Sequence, residues 1–175
     1  MNKKLIAVAM LASAALTSVA HAADGTINFT GNITDTACVI NTASANQNIP
    51  LGTVSDTAFT TAGDTAASKK VTITLESCPA AFTTASVSFD GTSDADNSDI
   101  LALTSASTAA GVGVALYEAD GSTLIPLHTT SSAITLDTTA GAVNNLDYVA
   151  KYMSTAATVT AGTANATTDF TIIYN

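Results

Sequence analysis

The sequence predicts an all-β fold, an antiparallel sandwich assembled from many short strands. Three observations predict it. Apolar and polar residues alternate with period 2 in one short run after another, those runs are rich in Thr and Val, and Gly, Asp and Asn punctuate the gaps. A strand with one face in the core and one in water produces that alternation. Many such strands separated by frequent turns pack as two sheets.

The chain opens with Met1-Asn2-Lys3-Lys4, then a largely apolar run over residues 5–16, then Ala20-His21-Ala22. Charge, apolar run and small-x-small site follow the order of a secretory signal. The run of 12 residues is shorter than the roughly 20 that a spanning helix needs. Residues 1–22 are therefore expected to be a cleaved signal. The remaining 153 residues suffice for one domain with a real core.

The strand candidates follow in order. Residues 26–33 alternate Ile27, Phe29, Gly31 and Ile33 against polar partners, and residues 38–40 and 49–51 are short extended runs. Residues 71–75 alternate cleanly, and Val87 and Phe89 share a face within residues 85–89. Residues 101–110 have helical-turn composition diluted by Ser and Thr. Residues 113–117, 124–127, 133–136, 146–153 and 170–174 complete the set. Gly63-Asp64, Asp90-Gly91, Asp120-Gly121 and Asn144-Asn145 are read as turns, and Asp120-Gly121 is the strongest hairpin signal. Strand patterns thus occupy both ends of the chain: residues 26–33 precede the first cysteine, and residues 170–174 adjoin the last residue. An unsatisfied strand at one end and an open edge at the other would join identical chains head to tail.

Removal of the signal would leave three lysines against 14 acidic residues, a net charge of −11, and the sequence contains no arginine. Such a surface repels phosphate backbones and anionic lipid, so nucleic acid is not an expected partner. Cys38 and Cys78 are expected to pair in an oxidising compartment.

The motifs of catalysis are missing from the sequence. There is no Gly-x-Ser-x-Gly elbow, CxxC, phosphate loop or dinucleotide fingerprint, and His128 is the sole histidine after residue 22. No enzymatic activity and no cofactor are expected. Asp90, Asp94, Asp96 and Asp99, with Asn97, raise a calcium hypothesis. The cluster lacks the Gly and terminal Glu of an EF-hand loop and reads as a solvated loop, so no metal site is assigned.

Taken together, the motifs resemble one family. Gly25-Thr26-Ile27-Asn28-Phe29-Thr30-Gly31-Asn32-Ile33 precedes Thr36-Ala37-Cys38 and Ile49-Pro50-Leu51-Gly52. Cys78 lies 40 residues after Cys38 in Leu75-Glu76-Ser77-Cys78-Pro79. Tyr152 precedes Val159-Thr160-Ala161-Gly162, and the chain closes on Phe170-Thr171-Ile172-Ile173-Tyr174-Asn175. Tyr174 is penultimate and Gly162 fourteenth from the end. In this order the motifs resemble the fimbrial subunits of the chaperone–usher pathway, the type 1-like pilins.

The resemblance implies an incomplete immunoglobulin-like sandwich, completed by a donor strand from another chain. Strand addition of this kind is established for chaperone–pilin complexes. It divides the chain into a signal (1–22), a donor-strand extension (23–34) and a pilin domain (35–175). Ile27, Phe29, Gly31 and Ile33 become the donor face. Gly162, Phe170, Ile172 and Tyr174 become the acceptor groove and chaperone-docking edge. The implied function is a structural subunit of an extracellular fimbrium supporting cell adhesion. The implied partners are identical or related subunits, a periplasmic chaperone, an outer-membrane usher and a host-surface receptor. Alternative roles are a minor or adaptor pilin and a carbohydrate-binding adhesin.

Overall fold

A computed structural model describes residues 25–31, 33 and 37–175. The expected signal, 1–22, lies outside the described residues. The described chain falls into two units, one ending at Ile33 and one comprising the domain that follows.

Among the described residues of the domain, eight strands form two antiparallel sheets. They are β1 (Val39–Ile40), β2 (Thr65–Glu76), β3 (Thr84–Asp90), β4 (Val112–Glu118), β5 (Leu124–Ile125), β6 (Ile134–Thr135), β7 (Val143–Ser154) and β8 (Asp169–Tyr174). One sheet has the order β1-β2-β7-β4-β5 and the other β6-β3-β8. A four-residue helix, α1 (Thr42–Ala45), follows β1, with Asn41 Oδ1 accepting the Ala43 N–H as its cap.

The strands form where alternation is strongest. The inner faces contribute Ile73 and Leu75 from β2, Ala85, Val87 and Phe89 from β3, and Leu146 and Tyr148 from β7, all buried. Phe89 meets Tyr148 edge-on with ring centroids 5.1 Å apart, joining the two sheets. The Tyr148 hydroxyl bonds Ser131 Oγ at 3.1 Å, so this buried phenol keeps a polar partner. A smaller cluster of Ile100, Ala115, Tyr117 and Met153 packs on the outer face of β4 and β7. The acidic loop lies over that face. Asp94 Oδ1 accepts the N–H groups of Asp96 and Asn97, and Asn97 Oδ1 accepts that of Asp99.

The Asp120-Gly121 hairpin joins β4 to β5. Gly121 adopts φ 66°, and the Asp120 carboxylate accepts the N–H groups of Ser122 and Thr123 at 2.8 and 2.9 Å. The Thr123 hydroxyl, which donates to Asp120 Oδ2 at 2.6 Å, and these two N–H groups hold the Asp120 carboxyl well below the usual carboxylate range.

Three sequence expectations are corrected. Asn144-Asn145 is no turn but lies inside β7, because the Asn144 amide binds the backbone of Asp137. Residues 101–110 form no helix. Instead Thr108, Ala109 and Ala110 hydrogen-bond to Thr160 and Thr163. Residues 49–51 form no strand, which suits a proline that cannot donate to a ladder.

The outer edge of β2 is only partly covered. β1 covers β2 at Glu76 and Leu75, and β2 carries a register shift between Ala66 and Lys69, with Ala67 at φ 60°. Lys69 and Lys70 are exposed beside this bulge, a combination that blunts a sheet edge.

Candidate acceptor groove and N-terminal segment

β8 pairs with β3 along one edge and, among the described residues, has no partner strand on the other. Its burial alternates strictly. Asp169, Thr171 and Ile173 are exposed, whereas Phe170, Ile172 and Tyr174 are half-buried against the core. That half-burial reflects a gap along the open side of the strand. A groove of 980 Å³ runs there, with Val71, Ile73, Leu101, Val114, Leu116 and Ala150 among its lining residues. One wall is Ile40 with residues 44–52, and the other is residues 164–170. Ordinary sandwiches cover such residues with a strand, so the groove has an apolar floor open along one side, between walls that carry Ser, Asn, Gln and Thr side chains.

Phe170 lines the groove directly. Ile172 and Tyr174 continue its row, and Tyr174 stacks on Phe82 with centroids 4.7 Å apart. Burial raises the Tyr174 pKa, and a hydrogen bond from the Cys38 backbone partly offsets that shift. This bond ties the end of β8 to the disulfide region. Cys38 and Cys78 are bonded to each other across a separation of 40 residues.

Gly162 does not line the groove. It lines an adjoining cleft of 440 Å³ together with Phe59, Val112 and Val159. A β-carbon at Gly162 would stand 2.5 Å from both the Ala109 nitrogen and Thr108 Oγ1. The glycine therefore permits close approach of residues 160–165 to residues 108–110, a packing role. Sequence reasoning missed Tyr152, which lines both groove and cleft. Its parity with Leu146, Tyr148 and Ala150 placed it on the inner face, but alternation gives no sign of an uncovered one.

The N-terminal unit carries the opposite character. Residues 25–31 and 33 form no strand, and the side chains of Ile27, Phe29 and Ile33 are exposed, Phe29 by 92%. These large apolar groups lie at alternate positions of the sequence and all face water. A β-carbon at Gly31 meets nothing within 4 Å in this chain.

Outside these regions, Ser93, His128 and Asp90 fall in line on the surface. His128 Nδ1 stands 3.0 Å from Asp90 Oδ1, and its Nε2 stands 3.4 Å from Ser93 Oγ. Roughly half the side-chain surface of His128 and of Asp90 is exposed. The three lie outside both cavities and lack the enclosed, preorganised pocket of a nucleophilic site. Among the described residues, no group of three His, Cys, Asp or Glu side chains is placed to hold a metal, and no helix is long and apolar enough to cross a membrane.

A family model described as fimbrial protein matches residues 27–175. Long polar fimbria protein A of Salmonella typhimurium is 38% identical, the alignment covering 99% of this chain and 97% of that protein. The probable major fimbrial subunit LpfA of Escherichia coli O157:H7 is 39% identical, covering 94% and 93% respectively. Among solved structures, a Burkholderia pseudomallei antigen and type I fimbria protein superposes with a TM-score of 0.61 at 38% identity, over 86% of this chain and 97% of that one. The P pilus rod subunit PapA matches in fold with a TM-score of 0.66 at 23% identity, over 80% and 100%.

Proposed function

The chain belongs to the fimbrial protein family and is a structural pilin subunit, and we propose that it polymerises by lending residues 25–33 to the groove of another copy. One observation carries the mechanism. The domain has an apolar groove along the unpaired edge of β8, and the same chain exposes Ile27, Phe29 and Ile33 at strand spacing. Residues 27–33 span about 23 Å when extended and the six residues of β8 about 20 Å, so donor and acceptor are similar in length. Backbone hydrogen bonds to the β8 edge would supply affinity and the alternate side chains specificity.

Residues 1–22 act as an export signal and residues 23–34 as the donor extension in this reading. The groove is filled by a periplasmic chaperone before assembly at an outer-membrane usher. The finished polymer stands on the cell surface and supports adhesion to a host receptor, with no catalytic step. The experiment is deletion of residues 23–33. The shortened chain should still be captured by the chaperone but should not join a preceding subunit. Normal fibres from the deletion would refute the mechanism.

A further inference from the structure

Alternation alone leaves the donor strand free to slip. A shift of one residue turns Ile27, Phe29 and Ile33 away from the groove, which burial forbids. A shift of two residues keeps them on the same face, with each side chain in its neighbour's place. The slip would also bring Phe29 or Ile33 into the place of Gly31, and a block at the end of the groove would exclude it outright.

The groove and the cleft beside Gly162 meet at Tyr152. On the inner face of β7 the residue before it in the row is Ala150, which offers a methyl group. The next step rises to a phenol ring. Its hydroxyl donates to the Ala164 carbonyl at 2.8 Å. Ala164 lies in the wall that leads into β8, so ring and bond form a ledge that rises from the groove floor to that wall. Beyond it lies the 440 Å³ cleft, large enough to receive an overrunning side chain if the way were open.

We propose that Tyr152 is a positioning residue that stops the incoming strand and fixes its register. The inference rests on the donor-strand reading above. Burial raises the Tyr152 pKa, consistent with a hydroxyl that stays protonated and keeps donating.

Fibres of the full chain test this. One cysteine is placed at position 27, 29, 31 or 33 and a second at position 172, on the groove face of β8. The inter-subunit cross-link then reports which donor residue lies opposite. With Tyr152 present, one donor position should dominate. Y152A should add a cross-link shifted by two residues, whereas Y152F, which keeps the ring, should retain the single position. Should Y152A fail to assemble, Y152L is read in the same way. A single unchanged position in Y152A, or in Y152L where it is the variant read, overturns the stop. Fibres that form with no cross-link at any of the four donor positions overturn the donor-strand reading itself.

Discussion

Asn144 holds Asp137 from both sides: its Oδ1 accepts the Asp137 N–H at 2.7 Å and its Nδ2 donates to the Asp137 carbonyl at 2.9 Å. Asn144 is buried beside Cys78, so this amide fastens the loop before β7 to the core near the disulfide. Asn144→Ala strands two backbone groups and should cost about 1–3 kcal/mol. Thermal unfolding of a chain carrying an extra copy of residues 25–33 after Asn175, which would fill the groove under the donor-strand proposal, checks this. An unchanged midpoint would contradict it.

The disulfide should matter more. Joining Cys38 to Cys78 closes a loop of 40 residues, worth about 4 kcal/mol in the chain-entropy description. A Cys38→Ser, Cys78→Ser double variant should unfold at markedly lower denaturant and accumulate poorly with the proposed chaperone. Wild-type capture by the chaperone would oppose the prediction.

Asp64 gives an acid limit. Its carboxylate accepts the N–H groups of Thr60 and Thr61 at 2.6 and 2.8 Å, which lowers its pKa from 3.8 to about 2. A folded-state pKa below the unfolded value contributes stability above about pH 4, lost as pH falls towards 2. Asp64→Asn should therefore be less stable at pH 7 and show a shallower decline below pH 4. Urea titrations at several pH values compare the two slopes.

Tyr148 gives the alkaline counterpart. Burial pushes its phenol up from 10.0 to about 12. That contribution is complete below pH 10 and is lost as pH rises towards 12. Tyr148→Phe should flatten the alkaline slope while losing the bond to Ser131. An identical slope would show that the phenol does not carry it.

Asp90 and Asp169 stand opposite each other across β3 and β8, a like-charge pair, with His128 beside Asp90. Asp169→Asn should raise stability by a few tenths of a kcal/mol, more at low salt than at high salt. Salt-dependent thermal unfolding reads the difference, and a lower midpoint would count against repulsion.

Phe29 is the largest exposed side chain on the proposed donor face. Phe29→Ala should weaken subunit contacts by about 1.5–3 kcal/mol if the ring is buried in the fibre. Fibres of this variant should dissociate at lower temperature in detergent, whereas Asn28→Ala, one residue away on the opposite face, should not.

Much of the sandwich was legible because its residues obey a local rule. β3, β4 and β8 coincide within a residue with their alternating runs. β2 and β7 extend beyond theirs, since Thr65–Lys70 pair with β7 through the backbone, and polar side chains carry no mark of that. Asn144 read as a turn because Asn–Asn pairs favour turns, and a buried tertiary bond overrode the propensity. The groove was legible through the family resemblance alone. Phe170, Ile172 and Tyr174 share a face by parity, but alternation is identical whether a neighbouring strand belongs to the same chain or another. Gly162 was placed in that groove, whereas the structure puts it in the cleft beside it.

The Cys38–Cys78 bond has a mechanical consequence. In a fibre joined as proposed, tension enters each subunit from the donor segment, and Cys38 lies five residues after Ile33. The β1–β2 ladder that follows has two residue pairs and would peel readily under load. The covalent bond bypasses that weak zipper and passes the pull to the segment after β2. A stretched filament should then yield at the joints between subunits, with each domain kept intact.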